Sequence, residues 1–419
     1  MNLLFVHQNF PGQFKHLLPV LCADTANRVV GFSMRDAPRP PGLQLVHYKP
    51  GRGSSKHIHP WVSDLESKVI RGEVAFKAAR KMRDEHGFTP ELIVAHHGWG
   101  EPLFLKQIWP RARLLLYCEW YYPLAGADVG FDPEFGGGTD EGICRLRLKN
   151  AHNLLCFEQA DAGMSPTHWQ ADTHPAWFRP RIEVIHDGVD TRQVRPLPAG
   201  EPLRLPVPAD ATCAIEAGEV VLSPGDEVVT FVNRNLEPYR GYHVFMRALP
   251  ELLRRRPKAK VVIVGANSVS YGAPPAQGSW KQHFLDEVRQ DLDLSRVFFV
   301  GTIPYPAFVR LLQLTTVHTY LTYPFVLSWS LMEAMACAGA IVASDTEPVR
   351  EVITEGETGR LVNFFDRGAL LDRICELLDD PAQRARLGAR ARELIVRRYD
   401  LESVCLPAQL AYLQRVAES

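Results

Sequence analysis

The stretch from Val317 to Ile353, VHTYLTYPFVLSWSLMEAMACAGAIVASDTEPVREVI, decides the fold. It predicts an apolar strand, a tight loop, a helix that opens near Ser328, and a second strand over 340–344. A strand that leads into a helix brings the unpaired N–H groups of the helix N-terminus together, and an anion can bind there. Glu333, in the second turn of that helix, can accept hydrogen bonds from paired hydroxyls such as those of a ribose. The stretch therefore predicts a phosphate-binding turn in an α/β domain.

A second segment upstream, TFVNRNLEPYRGYHVFMRALP (230–250), supplies two cations in the loop after another predicted strand. Pro238 and Gly241 disfavour a continuous helix between Arg234 and Arg240, so both side chains can point the same way from a loop. Guanidinium groups bind phosphate oxygens through paired, charge-assisted hydrogen bonds. On the residues alone, a diphosphate-binding pair and two ordinary surface arginines both remain open.

Together the two segments resemble the C-terminal half of a family 4 glycosyltransferase, a retaining enzyme of the GT-B fold. The further segments that carry the resemblance are 3–17, 182–191, 344–353, 355–363 and 379–395. The resemblance implies that Arg234 and Arg240 bind the diphosphate of a nucleotide-sugar donor and that Glu333 holds its ribose. It also implies that the enzyme needs no metal and no cofactor. The other substrate would be a glycan, a lipid-linked acceptor or a small molecule.

One position departs from the family pattern. The family carries two glutamates in an E-x7-E pattern; Glu333 matches the second, whereas Phe325 stands where the first is usual. Because that first glutamate contacts the donor sugar, the departure leaves the identity of the sugar open. Backbone N–H groups at Leu327, Ser328 and Trp329 can bind phosphate whatever their side chains, and Ser328 is a candidate N-cap. The alternative is that this segment is only a buried aromatic turn.

Two further strands of the same half end at a glycine. KVVIVG ends at Gly265, and RVFFVG is followed directly by Thr302 and Ile303. Backbone N–H and C=O groups at Thr302 and Ile303 suit recognition of a nucleotide base. We therefore count Gly265, Thr302 and Ile303 among the candidate donor-binding residues.

The N-terminal half offers three candidate ligand contacts. Gly12 follows Pro11 in the first strand–helix turn, where a glycine lets the backbone approach a phosphate, although any tight turn accepts glycine. His96, His97 and Gly98 end a predicted strand, where α/β folds place ligand contacts; a pair of histidines satisfied within the protein is equally open. Glu119 ends the next strand and can orient a donor hydroxyl or act as a base toward the acceptor. The candidate catalytic residues are thus His97, Glu119 and the two arginines.

The charge, apolar runs and cysteine spacing of the chain limit the classes of protein to which it can belong. The 419 residues carry a formal net charge of −1, which disfavours a nucleic-acid partner. No apolar stretch approaches the ~20 residues that a membrane-spanning helix needs. The eight cysteines include no C-x-x-C pair, so they are expected to be reduced core residues rather than disulfides or a zinc site. These features predict a cytoplasmic protein, with peripheral contact at the inner face of the membrane left open.

Strands alternate with helices in both halves, including a strand expected at NLLCFE (153–158). Such alternation predicts parallel sheets covered on both faces. With the resemblance, we expect a GT-B protein with two Rossmann-like, doubly wound parallel-sheet domains facing a central cleft. The expected parts are an acceptor-binding domain over 1–190, a Pro- and Gly-rich junction with a small hairpin over 191–227, a donor-binding domain over 228–400, and a last helix over 401–419 that crosses back to the first domain.

The leading functional hypothesis is a retaining glycosyltransferase acting in glycan, polysaccharide or glycolipid biosynthesis. One alternative is another GT-B enzyme, such as a nucleotide-sugar epimerase or a phosphorylase. The other is a non-catalytic protein that binds a nucleotide sugar or a glycan. The phenylalanine at position 325 keeps the non-catalytic alternative open, because the residue expected to contact the sugar is missing.

Overall fold

The structure is a computed structural model that describes residues 1–36, 38–136, 138–197 and 200–419. The chain divides into two units. Unit 1 comprises Met1–Gly188 and Leu401–Ser419, and unit 2 comprises Val189–Asp400.

Unit 1 is built on a seven-stranded parallel sheet of order β3-β2-β1-β4-β5-β6-β7. The strands are β1 (Asn2–Val6), β2 (Arg28–Ser33), β3 (Leu43–His47), β4 (Leu92–His96), β5 (Arg113–Tyr117), β6 (Ala162–Ser165) and β7 (Ile182–Val184). The order reverses between β1 and β4, and at such a switch point the loops after the two strands diverge and leave room for a ligand.

Both faces of this sheet are buried. Along β1, Leu3 and Phe5 pack into the core on one face, and Leu4 and Val6 pack into the core on the other. The helices that cover the sheet are α1 (Leu17–Ala23), α2 (Ser63–His86), α3 (Leu105–Ile108), α4 (Asp140–Lys149), α5 (Ala151–Gln159) and α6 (His168–Asp172). This burial explains why β1 is apolar from Leu3 to Val6 rather than alternating.

The strand expected at 153–158 is wrong, because that segment lies within helix α5. The buried residues of α5 lie at helical spacing; they are His152, Asn153, Cys156 and Phe157. A short apolar run does not distinguish a buried strand from a buried helix. The strand of this region is β6, whose sequence AGMS has little strand propensity. A side chain at Gly163 would come within 2.9 Å of Cys118 Sγ, so packing rather than propensity selects that residue.

Unit 2 contains a six-stranded parallel sheet of order β12-β11-β10-β13-β14-β15 and a separate antiparallel pair, β8-β9. The strands are β8 (Leu203–Val207), β9 (Gly218–Leu222), β10 (Val228–Asn235), β11 (Lys260–Ala266), β12 (Val297–Gly301), β13 (Val317–Tyr320), β14 (Ile341–Ser344) and β15 (Arg360–Val362). The order of the parallel sheet reverses between β10 and β13.

The helices of unit 2 are α7 (Tyr242–Arg255), α8 (Trp280–Val288), α9 (Tyr305–Leu314), α10 (Trp329–Ala336), α11 (Glu347–Arg350), α12 (Arg367–Asp379) and α13 (Pro381–Tyr399). An antiparallel pair, β8–β9, lies within the range expected for the junction and is part of unit 2. Within the expected junction, Pro198 and Ala199 lie outside the described residues.

The last helix, α14 (Leu406–Glu418), lies in unit 1. Tyr412 Oη donates to the carbonyl of Gly163 at 2.9 Å, and Gln409 Nε2 donates to the carbonyl of His186 at 2.8 Å. All eight cysteines are free thiols; five of them are buried and Cys144 is exposed. Among the described residues, no helix combines the length and apolar character that crossing a bilayer requires.

Candidate functional site

Strand pairing brings the two segments of unit 2 together. β10 lies beside β13 in parallel, with Val229 opposite Val317 and Phe231 opposite Thr319. Because parallel strands end at the same edge of a sheet, the arginine-bearing loop after β10 and the loop after β13 leave the sheet side by side. Segments more than 80 residues apart in sequence are therefore neighbours at the switch point of this sheet.

Helix α10 begins where the sequence predicts. Ser328 is its N-cap, and its Oγ accepts a hydrogen bond from Ser330 N at 3.3 Å. The Ser328 N–H donates to Tyr320 Oη at 3.0 Å. This bond ties the start of the helix to the end of β13. Of the three N–H groups expected to bind phosphate, at Leu327, Ser328 and Trp329, the middle one thus has a partner within the protein.

Arg240 is buried, and its side chain donates hydrogen bonds to the segment that leads into α10. Only 5% of its surface is exposed. Its Nη1 donates to Thr322 Oγ1 at 2.7 Å, to the Val326 carbonyl at 2.9 Å and to Tyr320 Oη at 3.2 Å. A guanidinium carries five N–H donors, so these bonds hold the loop before α10 without exhausting the group. A role toward a diphosphate stays a prediction for this residue.

Phe325 takes part in an aromatic enclosure around that guanidinium. Its ring lies 4.9 Å from the ring of Tyr271 and 5.6 Å from that of Tyr239. The Arg240 guanidinium carbon lies 5.2 Å from the Tyr271 ring centre and 5.9 Å from that of Phe325. The turn at 323–329 is thus aromatic and largely buried, as one alternative expected, and it packs against a cation.

Arg234 lies near the end of β10 and is exposed, whereas Arg240 is buried. Between them, Glu237 is wholly buried and accepts backbone N–H bonds from Ser270 and Tyr271 at 3.1 and 3.2 Å. Burial raises the pKa of Glu237 despite these bonds. Sequence reasoning missed Glu237, although an acidic residue between two arginines was a usable signal.

Glu333 lies half buried in α10 and has a partner that the sequence did not indicate. Tyr305, the first residue of α9, donates from Oη to Glu333 Oε1 at 2.6 Å. Burial, followed by the nearby Glu333 carboxylate, raises the pKa of Tyr305. Tyr305 is therefore a permanent donor that orients one carboxylate oxygen. No local pattern marks Tyr305, because the contact joins residues on two different helices.

A cavity of about 340 Å³ lies at the ends of β11 and β12, and Gly265 and Thr302 line it. Across it, Lys281 Nζ donates to Asp210 Oδ2 at 2.7 Å in a largely buried ion pair. Burial by itself raises the pKa of Asp210, but the hydrogen bonds from Lys281 and other donors outweigh it and hold the pKa below its usual range. The side chain of Ile303 instead packs partly buried against the core.

In unit 1, Glu119 is at the centre of a polar cluster at the β1–β4 switch point. Gln13 Nε2 donates to Glu119 Oε1 at 2.9 Å. His96 Nδ1 accepts from Gly98 N at 3.1 Å, so its Nε2 carries the proton and donates to Glu119 Oε2 at 3.2 Å. About a third of the Glu119 side chain, 31%, remains exposed. Two donors thus hold an accessible carboxylate in place.

Of the two histidines at this strand end, His96 bonds to Glu119, and His97 has a partner inside the protein. His96, the last residue of β4, faces Glu119, whereas His97 begins a 3-10 turn and points into the interior with no exposed surface. His97 Nδ1 lies 2.7 Å from Asn153 Oδ1. The two imidazole rings stack with their centres 5.9 Å apart, and the sequence did not show which of them bonds to Glu119.

Gly12 is required by packing. Its φ of +54° is in the left-handed region, and a Cβ atom would lie 2.6 Å from the imidazole of His7. Burial lowers the pKa of His7 to about 3, so this ring is neutral at ordinary pH. Gly12 lies in unit 1, and the other candidate donor-binding residues lie in unit 2.

Two family models match the chain. The model described as "Glycosyl transferase family 4 group" covers residues 25–194, and the model described as "Glycosyl transferases group 1" covers residues 216–394. The second match contains the switch point of unit 2, with both arginines and Glu333.

Curated relatives share about 30% identity with part of the chain. A D-inositol 3-phosphate glycosyltransferase from Nocardia farcinica is 29% identical over 216 residues, which are 51% of this chain and 43% of the relative. A phosphatidyl-myo-inositol mannosyltransferase from Mycolicibacterium smegmatis is 30% identical over 190 residues, 44% of each chain. The matched region thus spans less than half the length of these two relatives.

Solved structures share the fold along the whole chain. The sucrose-phosphate synthase of Thermosynechococcus elongatus superposes with a TM-score of 0.71 at 18% identity, covering 100% of both chains. HepE from Anabaena, solved in complex with UDP-glucose, superposes with a TM-score of 0.63 at 15% identity, covering 100% of this chain and 98% of HepE. At these identities the likeness shows the fold, and the fold is the GT-B type that the sequence predicted.

Proposed function

The chain belongs to the group 1 glycosyltransferases of family 4, and we propose that it transfers a sugar from a nucleotide-diphosphate sugar to an acceptor hydroxyl. The observation that carries this proposal is the arrangement at the switch point of unit 2. There a Ser-capped helix, a carboxylate that accepts from Tyr305 and the end of β10, which bears Arg234, meet at one edge of a parallel sheet.

On the donor side, Glu333 would accept hydrogen bonds from the two ribose hydroxyls. One of its oxygens already accepts from Tyr305, and this bond would help to orient the carboxylate toward the nucleotide. The diphosphate would lie against the start of α10, where the helix N-terminus favours negative charge. The cavity lined by Gly265 and Thr302 has room for part of the base.

Arg234 and Arg240 would have different roles toward the diphosphate. Arg234 is exposed and would contact the phosphate oxygens directly. Arg240 would act mainly by holding the 322–328 loop and by placing a fixed positive charge beneath the leaving group. Preorganised charge of this kind stabilises the departing diphosphate in the transition state, and we propose that it supplies most of the rate in a retaining, metal-independent transfer.

On the acceptor side, unit 1 would present Glu119. Its carboxylate is partly exposed and is held by Gln13 and His96, so it can accept a hydrogen bond from an acceptor hydroxyl. The acceptor would be a glycan, a lipid-linked sugar or a small molecule, and the enzyme would act in the cytoplasm, with peripheral membrane contact when the acceptor is lipid-linked.

A second candidate function is binding of a nucleotide sugar without transfer. The observation that favours it is Phe325, which fills the position of the sugar-contacting glutamate and packs at 5% exposure against aromatic rings. A nucleotide-sugar epimerase is a third candidate, and it would convert the donor with no acceptor present.

The test is a thermal-shift panel of UDP, GDP, ADP and their sugar conjugates on the wild type and on an Arg234→Ala variant. A ligand present at a hundredfold excess over its dissociation constant stabilises the native state by ~2.7 kcal/mol. We expect one nucleotide diphosphate to raise the Tm of the wild type, and to raise that of the variant much less. An Arg310→Ala variant, also in unit 2 but outside this loop, is the control and should respond like the wild type.

Product analysis follows with the nucleotide sugar that binds. A new glycoside formed only when an acceptor is added supports transfer, and an epimerised donor formed without acceptor supports the third candidate. Binding with no turnover over a broad acceptor panel supports the second. If no nucleotide shifts the Tm of the wild type, the proposal of a nucleotide-sugar enzyme is overturned.

A further inference from the structure

Three side chains that bind metals well lie together in the interior of unit 1. His97 follows β4, Cys118 follows β5, and His174 follows α6. Their exposed fractions are 0%, 0% and 4%. One ring nitrogen of each histidine and the Cys118 Sγ lie within 4.8 Å of one another. The proposed sugar transfer uses none of these three groups.

Hydrogen bonds fix the tautomers of both imidazoles. His97 Nδ1 lies 2.7 Å from Asn153 Oδ1, and His174 Nδ1 lies 3.0 Å from the carbonyl of Gln170. A carbonyl oxygen only accepts, so each Nδ1 carries the proton and each Nε2 carries a lone pair. An imidazole whose far nitrogen donates to a carbonyl is the usual arrangement of a metal-binding histidine.

Neither lone pair has a partner. Within the part of the chain that the structure describes, His97 Nε2 and His174 Nε2 are both buried without a hydrogen bond. A buried polar atom without a hydrogen bond lowers the stability of the fold by about 1–3 kcal/mol. Two such atoms therefore destabilise the fold unless a ligand binds them. The Cys118 thiol donates to the Leu116 carbonyl at 3.5 Å, which is a weak interaction.

The combined charge of the three side chains indicates whether a monovalent or a divalent cation fits the site. Each imidazole carries its proton on Nδ1 and a lone pair on Nε2, so both rings would be neutral ligands. A coordinated cation stabilises the thiolate form of a cysteine. One thiolate and two neutral imidazoles balance a single positive charge, whereas a divalent ion leaves a buried net charge that is costly.

We propose that His97, Cys118 and His174 form a buried three-coordinate site for a thiophilic monovalent ion, Cu⁺. Asn153 and Gln170 hold the two imidazoles in the binding tautomer. At metal–ligand distances of about 2.0–2.3 Å, three donors lie roughly 3.6 Å apart, so the cluster needs to contract by about 1 Å. The ion would join the ends of β4 and β5 to α6 as a structural element. The sequence led us to expect no metal and no metal site among the cysteines, and the proposed site departs from that expectation.

The test is a titration of the metal-free full chain with Cu⁺ under anaerobic, reducing conditions, against a chromophoric Cu⁺ chelator. We expect one Cu⁺ per chain and a higher Tm for the loaded protein. Cys118→Ser and His174→Gln should each weaken binding by roughly 100-fold or more. Cys156→Ser is the matched control, because Cys156 is equally buried in the same core and should leave the affinity unchanged.

Two results would overturn the proposal. One is the absence of stoichiometric Cu⁺ binding in the wild type, and the other is full binding retained in Cys118→Ser. A parallel titration with Zn²⁺ tests the charge argument, and tighter binding of Zn²⁺ than of Cu⁺ would refute the choice of a monovalent ion.

X-ray absorption on the loaded wild type needs no variant and so does not depend on how the variants fold. We expect one sulfur and two nitrogen scatterers around copper. A copper environment without sulfur would overturn the assignment.

Discussion

At the scale of single residues, the candidate donor site depends on pairs that the chain keeps far apart in sequence. Glu333 and Tyr305 are 28 residues apart and share a hydrogen bond of 2.6 Å. Arg240 reaches residues 80 to 86 positions further along the chain. The chemical type of each residue was readable from the sequence, but the partner that orients it was not.

Substitutions at Glu333 and at Tyr305 are expected to weaken nucleotide binding to different extents. Glu333→Gln removes a charged acceptor and should raise the Kd for the nucleotide diphosphate by roughly 10–100-fold, since hydrogen bonds to charged groups contribute about 1.5–3 kcal/mol. Tyr305→Phe leaves the carboxylate in place but no longer oriented, so its effect should be smaller. Isothermal titration calorimetry measures both.

Glu357→Gln is the control for this pair, because Glu357 is an exposed carboxylate of the same unit. Equal Kd values for Glu333→Gln and Glu357→Gln would show that Glu333 does not contact the nucleotide. A larger loss for Tyr305→Phe than for Glu333→Gln would show that Tyr305 binds the nucleotide itself.

At the scale of elements, the turn that carries Arg240 is fitted closely to the strand beside it. Gly241, the residue between this turn and α7, has a φ of +69°, and a Cβ atom there would lie 2.3 Å from Leu321 Cβ. Leu321 follows β13, so the close approach fixes the arginine loop against the loop that leads to α10. The glycine in PYRGY is therefore required both by backbone conformation and by packing.

Gly241→Ala should lower the free energy of unfolding by about 3 kcal/mol, because strain from the left-handed backbone adds to overpacking against Leu321. Gly225→Ala is the matched control: its φ is +93° and nothing lies within 4 Å of an added Cβ, so only the backbone cost of about 1 kcal/mol applies. Urea unfolding measures both variants. Equal losses would mean that Leu321 moves aside without cost.

At the scale of the whole molecule, each unit carries neutral histidines in its core. Burial lowers the pKa of His152 and His186 in unit 1, and of His318 in unit 2, to about 4. His318 Nδ1 lies 2.9 Å from Thr230 Oγ1 inside the parallel sheet. Each such ring must take up a proton when the chain unfolds in mild acid, so acid favours the unfolded state.

The predicted pH dependence has a definite sign. The folded-state pKa of His318, about 4, lies below the unfolded value of about 6.5, so its contribution is complete above pH 6.5 and is lost as the pH falls toward 4. Between pH 7 and 5 the loss is about 2 kcal/mol for this one group. Urea unfolding of His318→Gln at the two pH values should show a difference smaller by that amount.

The exposed His57 provides the control for this measurement, and His57→Gln should keep the wild-type difference between pH 7 and 5. A His318→Gln protein that loses as much stability as the wild type between these pH values would show that folding does not change the pKa of His318.

The sequence by itself determined the class of the fold and the residue types available at the candidate site. Apolar strands alternating with helices specify parallel sheets, because only strands buried on both faces are apolar throughout. Ser328 as the N-cap and Glu333 within α10 were readable because caps and helical spacing are local. The error at 153–158 has the same origin, since a short apolar run satisfies both a helix and a strand locally.

The tertiary structure alone decided the neighbours of these residues. It turned His96 rather than His97 toward Glu119, gave Glu333 its donor in Tyr305, and enclosed Arg240 while leaving Arg234 exposed. These outcomes depend on which strands pair and on which helix packs over them. Such contacts join residues tens of positions apart, and no local pattern of residues carries that information.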